Sequence, residues 1–274
     1  MSFPHTLLIV SHVVHYRHEG RLFAYGPYAR EMDVWADLFP CLLIAAPCRD
    51  EAPTEDCLAF SGTNITILPQ RETGGTTLSK KLVQIALLPV LILGLARAMR
   101  RADALHVRCP GNLGLLGAAL GPLFLSYRIA KYAGQWSDYP GEARTVRLQK
   151  ALLRSRWWRS PVLVYGRWPD QPAHVVPFFT SILTEDQIDR ARSASELARP
   201  AGPLRVLYVG RLSAAKHVDT LLEAISELTQ RSVDVTCTVV GDGPQRPALE
   251  ELVRVDSRKG SRSKHLSVLC QFGL

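Results

Sequence analysis

The segment 204–225, LRVLYVGRLSAAKHVDTLLEAI, joins a short apolar run to a longer pattern with a helical period. The run 204–209 has the length and branched residues of a buried strand, and 218–230 has the spacing of an amphipathic helix. Gly210 and Arg211 stand where the strand ends. Because ligands of open α/β sheets bind at the carboxyl ends of the strands, this turn is a candidate ligand site.

The same alternation of strand and helix continues on both sides of this segment. Downstream, it predicts a strand at 235–240, a helix at 247–255 and a strand at 266–272. Upstream, it predicts strands at 6–10, 41–45, 65–68, 104–107, 126–132 and 161–165, and helices at 27–38, 78–101, 113–124 and 142–158. Apolar strands separated by helices are typical of parallel sheets covered on both faces. The predicted fold class is therefore α/β.

The segment 193–203, SASELARPAGP, is small, polar and proline-bearing, as linkers are. It predicts an N-terminal domain at 1–192 and a second domain at 204–274. A length of 274 residues is enough for one or two domains of ~100–200 residues each. The second domain is shorter than that, so we expect it to stop before it is complete.

The net charge of +8 favours an anionic partner, which could be nucleic acid, a phosphorylated substrate or an acidic membrane surface. The sequence has no zinc-finger, RNP-type or helix-turn-helix pattern, so we expect no binding of nucleic acid. The six cysteines are scattered without a CxxC pair, which indicates a reducing, cytoplasmic setting. The N-terminus lacks the basic region and cleavage site of a signal peptide.

The most apolar stretch, 82–95, contains Gln84, Pro89 and Gly94 and is shorter than the ~18 residues of a membrane-spanning helix. Five cations flank it: Lys80, Lys81, Arg97, Arg100 and Arg101. A second basic segment, 147–159 (RLQKALLRSRWWR), adds two tryptophans. Such segments suit the surface of an anionic membrane, or they are amphipathic helices that pack on the sheet with solvated charged faces.

Two turns carry the strongest candidates for chemistry. Arg211 and Lys216 lie between a strand and the start of a helix, where a guanidinium, an ammonium and the helix amides suit a diphosphate. The alternative is an ordinary surface arginine and lysine. The second turn follows strand 235–240, and its glycines permit positive φ and a close approach of the backbone to a ligand. It consists of Gly241, Asp242, Gly243 and Pro244.

In this order, on consecutive strands, the two turns resemble the donor-binding domain of family 4 glycosyltransferases. That family has the GT-B fold, in which two Rossmann-like domains face a cleft. Its GR…K element, here Gly210, Arg211 and Lys216, holds the diphosphate of the donor, and its VGDGP turn borders the nucleotide. Residues 272–274 (FGL) resemble the end of the strand that comes next in the family. Upstream the resemblance is looser and rests on strand order and on the pattern ADALHVRCPGNLGLLGAAL at 102–120.

The resemblance implies a retaining transferase that moves a hexose from a UDP- or GDP-linked sugar to a glycan or lipid-linked acceptor in cell-surface polysaccharide synthesis. It implies no cofactor and no metal, and the sequence has no DxD motif. Arg211 and Lys216 would then stabilise the departing diphosphate as catalytic residues. The enzyme would be cytoplasmic, with peripheral attachment to the inner face of the membrane. The alternative is a catalytically inactive fragment or a module that only binds nucleotide sugars.

The sequence departs from the family pattern at two points. The paired glutamates, separated by seven residues, are absent. The histidine of a His-Gly element after the fifth strand is replaced by Ala133, which leaves Gln135, Trp136 and Asp138 as candidate cleft residues. A Rossmann-type dehydrogenase is disfavoured, because no GxGxxG follows the first strand of either domain.

Histidines cluster after the first strand, at His12, His15 and His18. We expect them in a loop, where contact with an acceptor is favoured over binding of a metal because no carboxylate or thiol pattern completes a site. Gly26 opens the next helix, where it either lets an acceptor or a phosphate approach or is a simple helix-start glycine.

Overall fold

The computed structural model describes residues 4–73, 78–179, 183–196, 202, 204–258 and 266–269. The chain divides into two compact units, Met1–Thr184 and Glu185–Leu274. The division falls before helix α5 (Glu185–Glu196), so residues 193–196 of the segment that we expected as a linker are helical. Each unit is an α/β structure, as the sequence predicts.

Unit 1 contains ten strands and four helices within the described residues. In chain order they are β1 (Thr6–Val10), β2 (His15–His18), β3 (Arg21–Tyr25), α1 (Gly26–Leu38), β4 (Cys41–Arg49), β5 (Cys57–Ala59), β6 (Ile65–Gln70), α2 (Leu78–Met99), β7 (Ala104–Cys109), α3 (Asn112–Phe124), β8 (Tyr127–Tyr132), α4 (Arg144–Arg154), β9 (Val162–Val164) and β10 (Val175–Pro177).

Seven parallel strands form the centre of unit 1, in the order β6-β4-β1-β7-β8-β9-β10. The strand order reverses between β1 and β7, as it does in dinucleotide-binding folds, and ligands of such sheets bind outside the carboxyl ends of the strands at that point. The topology therefore predicts a binding site beyond the ends of β1 and β7.

Side chains alternate between the two faces of the sheet. Leu8 and Val10 of β1 pack in a buried cluster with residues of α2 and α3, whereas Leu7 and Ile9 pack in a second cluster with residues of α1. The central strands are thus buried on both faces, which explains why they read as continuous apolar runs.

A hairpin that the sequence analysis missed extends this sheet. β2 and β3 pair antiparallel around a two-residue turn in which Glu19 and Gly20 both have positive φ, at 49° and 72°. β2 also pairs with the last residues of β4, Cys48 and Arg49, because β4 runs beyond its expected end at residue 45. His15 and His18 therefore lie in a strand, and the expectation of a loop at these positions is wrong.

Helix α2 has two different halves. Leu91, Leu95 and Met99 are buried in the core. The amino-terminal half instead exposes aliphatic side chains, including Leu82 and Ile85, both of which are more than 60% exposed. Its stretch Leu82–Met99 is long and apolar enough to cross a membrane by length and composition alone, although the expected apolar stretch was shorter.

Unit 2 has a small parallel sheet in the order β11-β12-β13. After α5, its described elements are β11 (Leu204–Val209), a 3₁₀ turn (Ala214–Lys216), α6 (Val218–Gln230), β12 (Val235–Val240), α7 (Arg246–Arg258) and β13 (Leu266–Leu269). The bounds predicted for β11, α6 and β12 are confirmed. The predicted strand end at 272–274 lies outside the described residues.

Candidate functional site

The loops after β11 and β12 are joined by backbone hydrogen bonds. Gly210 N–H donates to the carbonyl of Val240 at 3.0 Å, and Leu212 N–H donates to the carbonyl of Asp242 at 2.8 Å. Leu212, which is fully buried, accepts a further bond from the N–H of Gln245 at 3.0 Å. The two loops therefore form one rigid edge at the carboxyl ends of the strands.

The glycines of the second turn make this contact possible. A Cβ at Gly241 would lie 1.9 Å from the carbonyl oxygen of Gly210, and a Cβ at Gly243 would lie 2.3 Å from that of Leu212. Both glycines also have positive φ, at 150° and 153°. The turn was expected to let the backbone approach a ligand, but the close approach found in the structure is to the neighbouring GR loop.

This edge presents two cations to solvent. Arg211 and Lys216 are exposed and belong to the single loop that joins β11 to α6. His217, between Lys216 and the first turn of α6, has left-handed backbone dihedrals with φ 48°. Within the described residues, Arg211 and Lys216 form no ion pair. Both therefore remain available to an anion beside the amino-terminal end of a helix.

Asp242 and Pro244 complete the second turn. The Asp242 carboxylate accepts a hydrogen bond from Gly243 N–H at 2.7 Å and lies 3.8 Å from the Arg246 guanidinium. Pro244 is exposed just before α7. The carboxylate thus fixes the turn from within, while the carbonyl of the same residue holds the GR loop.

Unit 1 contains a cavity of about 590 Å³ at the carboxyl ends of its strands. Its lining comes from the segment after β1 (His12), from α1 (Glu31, Trp35), from β7 (Arg108) and from β8 (Lys131). This is the position that the strand order of unit 1 predicts for a ligand site.

An ion cluster forms one wall of the cavity. Glu31 accepts from Arg108 Nη1 at 2.6 Å with one carboxylate oxygen and pairs with Lys131 Nζ at 2.9 Å with the other. Burial alone would raise the pKa of Glu31, but the two cations outweigh burial and hold that pKa below its usual value. The carboxylate is therefore ionised at neutral pH, and the cluster keeps one positive charge in excess.

Two histidines line the same cavity. Burial, with a smaller contribution from the Arg108 charge, lowers the pKa of His106 to about 3. Partial burial and the same charge lower the pKa of His12. Both imidazoles are therefore neutral at pH 7, and both line the unit 1 cavity.

The structure places His15 and Gly26 elsewhere. His15 is fully buried, stacks on Phe60 with ring centroids 5.7 Å apart and donates its Nδ1–H to the Val13 carbonyl at 2.9 Å, so it is a core histidine. Gly26 N–H donates to the Asp56 carbonyl at 2.9 Å, and a Cβ on Gly26 would crowd that carbonyl and Leu58. Its role is packing, which is the simpler of its two interpretations.

The three candidates after β8 also lie outside the cavity lining. Trp136 is fully buried, and its indole donates to Gln171 at 2.9 Å, so its assignment to a cleft is wrong. Asp138 pairs with Lys150 at 3.0 Å and with Arg154, while Gln135 donates to Ser137. By contrast Ala133, which stands where the family has histidine, does line the cavity.

Comparison with known proteins agrees with this geometry. Residues 203–264 match the family model of group 1 glycosyl transferases. A segment of 137 residues is 40% identical to alpha-D-kanosaminyltransferase of Streptomyces kanamyceticus and covers 48% of this chain and 34% of that relative. Both matches are thus to glycosyltransferases, and the family match lies on the segment that carries the GR…K and GDGP turns.

Solved structures of the GT-B fold show the same fold as this chain. Sucrose-phosphate synthase of Thermosynechococcus elongatus is 18% identical with a TM-score of 0.58, over 97% of this chain and 70% of that one. Trehalose 6-phosphate synthase of Burkholderia multivorans is 12% identical with a TM-score of 0.57, over 100% and 73%. Anabaena HepE, solved with UDP and glucose, is 15% identical with a TM-score of 0.55, over 98% and 70%.

The chain spans about a third of the length of the curated relative that it matches. The predicted resemblance and the predicted fold class are thus confirmed, and the GR…K and GDGP elements lie on the edge of unit 2 where the loops after β11 and β12 are hydrogen-bonded to each other. In unit 1, the cluster of Glu31, Arg108 and Lys131 was not predicted from the sequence. The available signal was a cation at the next-to-last position of each of two neighbouring strands. Among the described residues, no group of three histidines, cysteines or carboxylates is arranged to hold a metal ion.

Proposed function

We propose that the protein transfers a hexose from a nucleotide-diphosphate sugar, UDP- or GDP-linked, with retention of anomeric configuration. One observation carries the proposal. Arg211 and Lys216 stand exposed, without an ion-pair partner among the described residues, on a loop that the Gly241–Gly210 contact makes rigid. A fixed pair of cations beside a helix amino terminus suits a diphosphate, and it would stabilise the charge that develops as the diphosphate departs.

The relatives support the nucleotide-sugar donor. The curated relative is named for transfer of kanosamine, and HepE was solved with UDP and glucose. In this proposal the cations Arg211 and Lys216 do the work that a metal would do, so the reaction needs neither metal nor cofactor. The acceptor is a glycan or a lipid-linked molecule in cell-surface polysaccharide synthesis on the cytoplasmic side.

A second candidate is a module that binds nucleotide sugars without catalysis. The observation in its favour is Ala133, which lines the unit 1 cavity at the position where the family has histidine. Alanine can neither donate nor accept a proton there. Release of free nucleotide from a bound sugar donor separates this candidate from an active transferase.

The test is calorimetric titration of the protein with UDP, GDP and ADP and with their sugar conjugates. Arg211→Ala is expected to weaken binding of the preferred nucleotide by ~1.5–3 kcal/mol, the range for hydrogen bonds to charged groups. Arg205→Ala removes an exposed cation from β11, away from the loop, and serves as the control with unchanged affinity. Equal affinity of the Arg211 variant and its parent would refute the diphosphate site.

We also propose that the amino-terminal half of α2 contacts the surface of an anionic membrane. Seven large aliphatic side chains of this helix are exposed, and Arg97, Arg100 and Arg101 lie exposed at or just after its carboxyl end. The side chains of Lys80 and Lys81 lie outside the described residues. An apolar face bordered by cations is the pattern of helices that lie in the membrane interface.

The second basic segment contributes less than expected. Trp158 and Leu153 are fully buried, and Lys150 is buried in ion pairs with Glu142 and Asp138. Of its large apolar residues, Leu148 and Trp157 are the exposed ones, and the Trp157 indole donates to a carbonyl of α3. These contacts favour a helix packed on the sheet for most of 147–159, so the proposal takes α2 as the membrane-contacting surface.

Sedimentation with vesicles tests this surface. Leu82→Ser combined with Ile85→Ser is expected to lower binding to phosphatidylglycerol vesicles at least about tenfold, because each change removes about 1.5–3 kcal/mol of apolar transfer. Val233→Ser with Leu252→Ser changes two exposed aliphatic residues of unit 2 and should leave sedimentation unchanged. Equal sedimentation of the α2 variant and its parent would rule out this contact.

A further inference from the structure

The unit 1 cavity has a chemical character that specifies its ligand. We infer that it binds an acceptor with one anionic group, a carboxylate or a phosphate, on a compact apolar body. That the ligand is the acceptor of the transfer rests on the proposed function, whereas the chemistry of the ligand is inferred from the cavity alone. Neither the family match nor the relatives' names give the chemistry of this ligand.

The anionic group follows from unbalanced charge. The side chains of Arg108 and Lys131 are 14% and 5% exposed, and both pair with the single carboxylate of Glu31. Two largely buried cations thus share one carboxylate, whose side chain is 22% exposed. A buried charge without a counter-charge is costly, so an anionic ligand group would complete the cluster as two cations with two anions.

Among the described residues, the groups beside Lys131 do not supply the missing negative charge. The Lys131 ammonium lies 5.9 Å from the ring centroid of Tyr165 and 5.4 Å from that of Phe178, which offers attraction to the ring faces but no anion. Arg30 lines the same cavity and is exposed, and it adds a further positive charge.

His106 provides an independent indication of a polar ligand atom. It lines the cavity, is 1% exposed, and neither of its ring nitrogens has a hydrogen-bond partner among the described residues. A neutral imidazole carries one N–H donor and one acceptor. Since buried polar atoms in folded proteins almost always have partners, a ligand oxygen is the partner that this side chain lacks.

The apolar body follows from the rest of the wall. Most of the remaining lining is apolar or aromatic, including Val34, Trp35, Leu38 and Leu163. The volume of about 590 Å³ falls within the range of ~300–1,000 Å³ for pockets that enclose small organic ligands. An inorganic anion alone would leave most of this surface without contact.

The same cluster disfavours a cationic ligand. Both carboxylate oxygens of Glu31 are engaged, one by Arg108 and one by Lys131. An ammonium group would meet three positive side chains at the cavity and no free carboxylate among its described lining residues. Charge therefore selects an acid over an amine of the same shape.

Matched probes test the inference without nucleotide. We would measure the affinity of the protein for 1-naphthoate, 1-naphthyl phosphate, neutral 1-naphthamide, 1-naphthylmethylamine and inorganic phosphate. Both naphthyl acids should bind at least about tenfold more tightly than the amide and the amine, a difference of about 1.4 kcal/mol. Preference for the phosphate over the carboxylate, or the reverse, identifies the anionic group. Equal binding of acid and amide, or of inorganic phosphate and naphthyl phosphate, would overturn the inference.

Two variants locate the binding. Lys131→Gln should reduce the preference for acid over amide, whereas Val34→Trp, at an exposed position on the cavity wall, should block every naphthyl probe without disturbing the buried cluster. Arg17→Gln removes an exposed cation of unit 1 outside the cavity and is the control. If Val34→Trp binds the acids as tightly as its parent does, the site lies elsewhere and the inference fails.

The outcome is separable from that of the proposed function. Acid binding that is blocked by Val34→Trp, together with no Arg211-dependent nucleotide binding, would keep the cavity ligand and remove the donor site. Nucleotide binding without selection of acids would do the reverse. Each result therefore bears on one of the two proposals alone.

Discussion

The two units place cations at the carboxyl edges of parallel sheets in opposite ways. In unit 1, Arg108 and Lys131 are buried and share the carboxylate of Glu31. In unit 2, Arg211 and Lys216 are exposed and have no ion-pair partner among the described residues. The first arrangement is built into the packing of α1 against β7 and β8, whereas the second lies on a loop that backbone contacts hold.

This difference in burial predicts that the cations of unit 1 contribute to stability and to binding, whereas those of unit 2 contribute to binding alone. Removing one partner from a buried ion cluster leaves an uncompensated charge, so the cluster should matter for folding as well as for a ligand. Removing an exposed cation costs little stability, so Arg211 should matter for the ligand alone. In unit 2, the structural role falls instead to the glycines that join the loops.

The largest effect is expected from Gly241→Ala. A Cβ there would meet the Gly210 carbonyl at 1.9 Å at a φ of 150°, so backbone strain and overpacking together should destabilise unit 2 by about 4 kcal/mol. Denaturant unfolding followed by circular dichroism measures the loss. Gly202→Ala is the matched control, because Gly202 has the same φ with no atom within 4 Å, and about 1 kcal/mol is expected. Equal losses would mean that the Gly210 contact contributes nothing.

Unit 2 could be predicted closely from sequence because its signals are local. The strand at 204–209, the helix at 218–230 and the strand at 235–240 each show their period within one segment. What Gly241 contacts could not be predicted in the same way. That contact depends on which backbone atoms face each other across two loops. A glycine-rich turn is expected both where a ligand approaches the backbone and where a neighbouring carbonyl does, so the sequence does not distinguish the two.

Unit 1 shows where local patterns fail. Glu31 and Arg108 are 77 residues apart, so no spacing rule could join them before the strand order was known. The cluster of histidines made His12 and His15 equal candidates for contact with an acceptor, but His12 lines the cavity whereas His15 is buried in the core. The short strands β2, β3 and β5 were missed because their mixed polarity gives no clear alternation and they depend on pairing with β4 and with one another.

The buried cluster gives the second prediction. Glu31→Gln should destabilise unit 1 by about 3 kcal/mol, because Arg108 and Lys131 would remain buried without a carboxylate. Tryptophan fluorescence reports this unit selectively, since all five tryptophans lie within residues 35–168.

Two variants sharpen that prediction. Asp50→Asn removes the same charge from an exposed pair with Arg17, and a loss of only ~0–1 kcal/mol is expected. Arg211→Ala should change the stability of the protein by no more than about 0.5 kcal/mol while it weakens nucleotide binding. If Glu31→Gln is no more harmful than Asp50→Asn, the cluster contributes nothing to folding and the contrast between the units fails.

The smallest expected effect is a pH dependence confined to unit 1. Burial, the main cause, lowers the pKa of His15 to about 4 and that of His106 to about 3, from about 6.5. Because the folded pKa is the lower one, the unfolded chain takes up protons first, and stability that is present above pH 6.5 is lost as the pH falls. For the two histidines together, the loss between pH 7 and pH 6 should be about 1 kcal/mol.

Replacing one histidine tests the assignment of this loss. His15→Phe keeps a ring beside Phe60 and should reduce the slope of stability against pH by about a third to a half, because the lowered pKa of His12 also contributes; tryptophan fluorescence at pH 7 and pH 6 measures the slope. His18→Gln, at an exposed position of the same strand, should keep the parent slope. Glu31 does not interfere, because its pKa is lowered and its contribution is lost only below about pH 4.3. A parental slope in His15→Phe would mean that the buried ring at position 15 does not cause the loss.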